Sequence, residues 1–229
     1  MRAVDEVDRR ILAFIGAHRF VLVWHVERFL GLEADVATGR LRELEAERLV
    51  RSERLLAGRA SSVRITGLGL DAIGSRLPAP GFDLAGYRRE VGVVWVWVAA
   101  WLGTFGEAER VLSRREMEGL DRALREAGGG SVATGFAVPV GMDAGPGSAW
   151  RCYPDVALET AGGRVAIHLQ LRVPGSAMLE ALLAGYRSDD RVLFLTDERR
   201  VAVAVEEAAA RLDVGDRVRV QRARIGDHR

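Results

Sequence analysis

The sequence predicts a mixed α/β protein built from two domains, and three patterns support this prediction. Helical periods followed by an alternating hairpin fill the N-terminal third of the chain. The stretch SRLPAPGF, residues 75–82, then interrupts any helix through its two prolines. Strand and helix patterns alternate through the remainder, as in a sheet covered by helices. At 229 residues and 48% hydrophobic composition, the chain is long enough to bury a substantial core.

The N-terminal third begins with three short helices. Residues 4–17 place their apolar side chains on one helical stripe, and acidic residues occupy the first turn, where the helix dipole favours them. A second helix is predicted from about residue 22 to 30, ending at Gly31, and a third from about 34 to 47. Residues 49–66 then alternate around a turn at 57–59. Three helices followed by a hairpin predict a winged helix-turn-helix over residues 1–76.

A second domain is predicted over residues 83–229, after a linker at 77–82. Its first helix, 83–102, is apolar on nearly every side, so we expect it to be buried centrally or in an interface. The predicted order of the remaining elements is strand 110–113, helix 114–127, a glycine-rich stretch 128–147, strands 151–159 and 164–172, helix 175–187, strand 192–196, helix 198–212 and strand 217–222. This order predicts a restriction-endonuclease-like α/β core.

Composition limits the classes of function. All 33 basic residues are arginine, so a lysine-based active site is excluded. The net charge of +1 gives no indication of a polyanionic partner. The single cysteine excludes an internal disulfide and a cysteine-rich zinc site, which favours a reducing compartment. The longest apolar run, 93–102, is about half of what a bilayer requires. We therefore expect a cytoplasmic protein with no membrane partner.

A candidate catalytic site lies in YPDVALETAGGRVAIHLQLR, residues 153–172. Strand alternation places Asp155 beside His168 and Gln170 of the next strand, and Glu90 on the apolar helix is a further candidate. A nuclease core needs carboxylates on adjacent strands because Mg²⁺ prefers hard oxygen ligands beside the scissile phosphate. Three alternatives remain open. The site is an inactive scaffold, or Asp155 anchors a weak Mg²⁺ or Mn²⁺ site with the other three, or these side chains have structural roles.

A candidate DNA surface lies on the third helix and the hairpin. Residues 40–64 contain seven arginines against four acids. In a winged helix the third helix enters the major groove, and the hairpin contacts the phosphate backbone. The residues predicted to contact double-stranded DNA are Thr38, Gly39, Arg40, Arg42, Arg51, Arg54 and Arg59. Glycine at position 39 would allow close approach, whereas the acids at the start of the helix repel phosphate.

The whole chain resembles the replication-relaxation family of plasmids and integrative elements. The stretches that carry this resemblance, by their order and spacing, are RRILAFIGAHRFVLVWHVERFLGL, ATGRLRELEAERLVRSERLLAG, LPAPGFDLAGYRREVGVVWVWVAA, YPDVALETAGGRVAIHLQL and LEALLAGYRSDDRVLFLTDERRVAVAVEEAAARL. The resemblance implies a DNA-binding winged helix joined to a PD-(D/E)xK-like domain. The chain departs from the family pattern at His168 and Gln170, where the family has acids. It also lacks the lysine that follows these acids in the family.

The preferred hypothesis is a DNA-binding protein that acts in replication, relaxation, transfer or their regulation, with an inactive nuclease-like domain. A homodimer is compatible with this hypothesis, because residues 93–102 supply spare apolar surface. The first alternative is a nuclease or nickase that uses Mg²⁺ or Mn²⁺. The second is an adaptor in a replication or transfer complex that does not contact DNA.

Overall fold

The computed structural model describes residues 4–56, 60–81, 84–128, 135–140, 150–187 and 190–223. The chain divides into two compact units, which we call unit 1, ending at Thr104, and unit 2, beginning at Phe105. The predicted mixed α/β class is confirmed, because the described residues form eight α-helices and several sheets. None of the described helices combines the length and the apolar character needed to cross a bilayer.

Unit 1 is a set of helices around a small antiparallel sheet whose strand order is β1-β3-β2. Its elements in chain order are α1 (Glu6–Ala17), β1 (Val21–Leu22), α2 (Val23–Leu30), α3 (Ala34–Ala46), β2 (Val50–Glu53), β3 (Ser62–Ile65), α4 (Gly67–Ala72), a 3₁₀ turn (Leu84–Gly86) and α5 (Tyr87–Trp101).

The core of unit 1 follows from the helical stripes in the sequence. In α1, Ile11, Leu12 and Ile15 are completely buried. In α3, Ala37 and Leu41 face the same core because residues four apart share a helix face. α2 ends at Gly31, whose φ of 65° is the left-handed conformation that glycine adopts without steric cost. The predicted turn at 57–59 lies outside the described residues.

The apolar helix α5 belongs to unit 1, whereas the sequence analysis assigned it to the second domain. The boundary between the units falls after Thr104 and not at the expected linker, 77–82. α5 packs on α2 and β1 through aromatic contacts. Tyr87 stacks on Phe20 at 5.3 Å between ring centroids, and Trp95 meets Trp24 edge to face at 5.1 Å. A helix that is apolar all round must be buried, but its composition does not identify the surface that buries it.

Unit 2 contains a five-stranded mixed sheet with strand order β10-β9-β8-β7-β4. β4, β7 and β8 pair antiparallel, and β8, β9 and β10 pair parallel. A separate two-stranded ladder joins β5 and β6. The elements in chain order are β4 (Arg110–Ser113), α6 (Arg114–Glu126), β5 (Val138–Val140), β6 (Trp150–Cys152), β7 (Val156–Thr160), β8 (Gly163–Leu169), α7 (Ser176–Ala184), β9 (Arg191–Thr196), α8 (Arg199–Arg211) and β10 (Val218–Arg222).

Helices α7 and α8 cover one face of this sheet. Ala166, Val192 and Phe194 point from β8 and β9 into a core that includes Leu183 of α7 and Val205 of α8. The parallel strands are connected through these helices, as right-handed strand-helix-strand crossovers require. His168, one of the predicted catalytic residues, lies on the same face, where its ring stacks on Phe194.

Three elements differ from the sequence-based expectation. The stretch 67–74, to which the sequence pattern assigned no element, contains α4, because Thr66 caps it by accepting a hydrogen bond from the Gly69 amide at 3.0 Å. A Cβ at Gly69 would lie 2.1 Å from the carbonyl oxygen of Leu49, so glycine is needed for packing there. The expected strand 151–159 is two strands, β6 and β7. β5 lies within the stretch expected to be glycine-rich and irregular.

Candidate functional site

Asp155 lies immediately before β7 and is almost completely buried, with 1% of its surface exposed. Its Oδ2 accepts a hydrogen bond from the Leu169 backbone amide at 2.8 Å. Its own backbone amide donates to the carbonyl of Ile167 at 2.9 Å, which extends the β7–β8 ladder. The carboxylate thus ties the beginning of β7 to the end of β8, which is a structural task independent of any metal.

His168 lies on β8 as predicted, but its contacts are with other parts of unit 2. Its Nε2 shares a hydrogen bond of 2.5 Å with the phenol oxygen of Tyr186, which follows α7. Its ring stacks on Phe194 of β9 with 5.1 Å between centroids. Burial raises the pKa of Tyr186 well above its ordinary value, so the phenol stays protonated at neutral pH. His168 therefore anchors Tyr186 within the core.

The other two predicted catalytic residues do not join Asp155 in one metal-binding arrangement. The Gln170 amide nitrogen donates to the carbonyl of Arg172 at 2.6 Å, so this side chain bridges its own loop. Glu90 lies on α5 in unit 1, where its carboxylate is 3.8 Å from the guanidinium of Arg19. Its expected place beside the strand pair depended on α5 being part of the second domain.

A Mg²⁺ or Mn²⁺ ion would require several oxygen ligands at this position. Among the residues that the structure describes, no group of three or more His, Cys, Asp or Glu side chains lies close enough to hold a metal. Asp155 offers a carboxylate that is already bound to a backbone amide, and its neighbour His168 is bound to Tyr186. The described donor set does not fit a divalent cation, so we assign no catalytic step to one.

The predicted DNA-contacting residues of α3 divide into two groups. Arg40 points toward α1, where its Nη1 lies 2.8 Å from Asp5 and 2.9 Å from Asp8. The hydrogen bond to Asp5 is the largest cause, and the one to Asp8 the next, of a pKa of Arg40 that is raised above its ordinary value. Arg40 is therefore engaged in holding α3 to α1. Arg42 lies on the exposed side of α3 and forms no ion pair with any described residue.

Gly39 and Thr38 complete the outer surface of α3. Both are partly exposed, and Gly39 lies on the side of the helix away from the buried Leu41. A Cβ built at Gly39 would meet no atom within 4 Å, so packing inside the chain does not require glycine at this position. Glycine in a helix interior costs about 0.5–1 kcal/mol relative to alanine. Gly39 thus lowers the stability of the helix, and it leaves the helix surface open to close approach.

The hairpin presents a smaller positive surface than its sequence indicated. Arg51 on β2 pairs with Glu53, and Arg64 on β3 pairs with the same carboxylate. Arg54 is exposed and forms no ion pair with a described residue. Arg59 lies outside the described residues. Arg42 and Arg54 are therefore the predicted DNA contacts whose described surroundings leave their charge unneutralised.

Sequence reasoning missed two buried groups that shape these units. His25 is completely buried, because the helical spacing that buries Val26 and Phe29 also buries residue 25. Its Nδ1 accepts a hydrogen bond from the Leu22 amide at 3.0 Å and so caps α2. Tyr186 was not singled out either, and no local pattern relates it to His168, which is far away in sequence.

The chain matches no model of a known protein family, and no curated protein matches it. The resemblance to the replication-relaxation family therefore stays a prediction from the sequence. A function for this chain therefore has to be proposed from the geometry of its two units.

Proposed function

We propose that this chain binds double-stranded DNA through unit 1, acting as a winged helix-turn-helix. Its helices α1, α2 and α3 are followed by the β2–β3 hairpin, and β1 completes the small antiparallel sheet. In this proposal α3 enters the major groove and the hairpin lies along the phosphate backbone.

The observation that carries the proposal is the outer surface of α3. Gly39 leaves an open place on the helix, and Arg42 lies one turn away with its charge unpaired by described residues. Close approach of a helix to base edges needs small residues, and a guanidinium can bind guanine or phosphate with two parallel hydrogen bonds. The exposed acids Asp35 and Glu43 on the same helix oppose phosphate, so we expect modest and strongly salt-dependent affinity.

We further propose that unit 2 serves DNA transactions without cutting DNA. In its sheet, the antiparallel strands β4, β7 and β8 are followed by β9 and β10, which run parallel to β8. This arrangement supports a restriction-endonuclease-like origin. The surroundings of Asp155 support loss of metal binding. Replication, relaxation or transfer of a plasmid or integrative element is the process that the sequence resemblance favours. A homodimer would place two copies of α3 on half-sites about one helical turn apart.

A mobility-shift titration with duplex DNA from the neighbouring locus tests the DNA proposal. Arg42→Gln should weaken binding by roughly 1–3 kcal/mol if the side chain reaches a base, which is about a fivefold to more than a hundredfold loss. Arg54→Gln should lower the slope of log K against log salt by about 0.9. Arg9→Gln is the matched control, because Arg9 on α1 is 53% exposed and pairs with Glu6.

Two results would contradict this proposal. One is the absence of any shifted complex at low salt, which would favour the adaptor function. The other is equal loss of affinity in Arg42→Gln and Arg9→Gln, because a general loss of positive charge would then explain the binding without a specific surface.

A further inference from the structure

Unit 2 contains a cavity that no residue of the predicted catalytic site lines. It has a volume of about 200 Å³ and lies between the beginning of β8, the end of α7 and residues 135–139. Drug-sized ligands occupy pockets of about 300–1,000 Å³, so this cavity has room for a small metabolite. Phe136, Val138 and Ala166 are among the apolar residues that line it.

Two arginines, Arg164 and Arg187, and one aspartate, Asp190, line the cavity. Asp190 is 6% exposed, and its Oδ2 accepts a backbone hydrogen bond from Arg187 at 3.2 Å. Asp190 forms no ion pair with any described residue. A carboxylate buried to this degree is costly unless a positive charge or several donors compensate it. Among the described residues, neither Arg164 nor Arg187 is close enough to Asp190 to form an ion pair with it, although both line the same cavity.

Arg164 is the less exposed of the two arginines that line the same cavity. Its guanidinium lies over the ring of Phe136 at 4.4 Å, and its Nη1 donates to the carbonyl of Gly135 at 3.1 Å. These contacts hold the guanidinium in place but use one of its five donors, and no described carboxylate pairs with it. Arg164 therefore retains donors in a fork that matches a carboxylate.

The wall near Asp190 is held in a defined position. Tyr186, which lines the cavity, is bound to His168 and is kept protonated by its burial. At Gly185 a Cβ would lie 2.5 Å from Cγ1 of Val138 and 2.7 Å from the carbonyl oxygen of Pro139. Glycine therefore lets the end of α7 pack directly on β5. A site built from such fixed elements is preorganised for a ligand.

We propose that this cavity binds a small zwitterion of the free amino acid class. The ligand's ammonium group donates to the Asp190 carboxylate, and its carboxylate accepts the remaining donors of Arg164. Its side chain lies against the apolar wall, and the cavity volume restricts it to a small residue. The inference stands independently of whether unit 1 binds DNA.

Thermal unfolding of the full chain with the common free amino acids, added one at a time, tests the inference. At least one should raise Tm saturably, by about 5 °C at roughly 100 times its Kd. The same amino acid with its amino group acetylated and its carboxyl group amidated should give no increase. Asp190→Asn, which keeps the side-chain shape, and Arg164→Gln should each abolish the increase.

Matched controls are Asp213→Asn and Arg191→Gln, because both residues are exposed and neither lines the cavity. These variants should keep the full ligand-dependent increase in Tm. The inference is overturned if no free amino acid changes Tm at millimolar concentration, or if the capped derivative binds as well as the free one. It is also overturned if Asp190→Asn, folded as judged by its circular dichroism spectrum, retains the increase.

Discussion

Replacing Gly39 with alanine separates the stability of unit 1 from its proposed contact with DNA. The new methyl group would meet no atom within 4 Å, so it creates no clash inside the chain. Alanine is favoured over glycine in a helix interior by about 0.8–1 kcal/mol. For a domain of about 100 residues, this gain corresponds to a rise in Tm of about 4 to 8 °C. Gly39→Ala should therefore be more stable than the wild type.

The same methyl group should weaken DNA binding, because it occupies the space through which α3 approaches the groove. We expect roughly a tenfold loss of affinity, equivalent to about 1.4 kcal/mol. Differential scanning calorimetry and fluorescence anisotropy on labelled duplex DNA measure the two effects in one preparation. Gly67→Ala is the control, because Gly67 is also helical and its Cβ would also meet open space. A stabilised Gly39→Ala protein with unchanged DNA affinity would refute the role of α3.

Three other substitutions test separate parts of the structure. Arg40→Gln should lower the free energy of unfolding by about 1–3 kcal/mol, because it removes the contact with the buried Asp8. Urea titration measures this change. A variant as stable as the wild type would show that the contact does not stabilise the fold. Burial lowers the pKa of His25 to about 3. Between pH 6.5 and 3 the unfolded chain therefore binds a proton that the folded chain does not bind. As the pH falls through this range, the free energy of unfolding should decrease by about 1.4 kcal/mol per pH unit. His25→Asn keeps an acceptor for the α2 cap and should flatten that dependence; an unchanged slope would contradict the assignment. Supercoiled plasmid should stay intact with Mg²⁺ or Mn²⁺, and cleavage that disappears in Asp155→Asn would show that the site is active.

Local physical rules predicted the elements whose determinants are close in sequence. Helix α6 begins close to the predicted residue 114, where Ser113 and Glu116 form a capping box with reciprocal hydrogen bonds of 2.8 and 3.3 Å. α4 was missed because two glycines in six residues lower helix propensity, whereas the cap at Thr66 and the packing of Gly69 override it. β1 has two residues, too few for an alternating pattern.

The candidate sites were harder to predict because they depend on contacts between distant segments. Strand alternation correctly placed His168 on β8, but its partner Tyr186 comes from the end of α7. The charge count on α3 included Arg40, and only the tertiary structure shows that it is bound to two acids of α1. The placement of a buried Asp190 and of Arg164 on the walls of one cavity has no local sequence pattern at all.

Hydrogen–deuterium exchange with and without duplex DNA tests most directly whether unit 1 is the DNA-binding surface. The account predicts slower exchange on adding DNA in α3, Ala34–Ala46, and in the β2–β3 hairpin, with the effect removed by salt. Protection confined to unit 2, or no protection of α3 under conditions where a complex forms, would contradict the account.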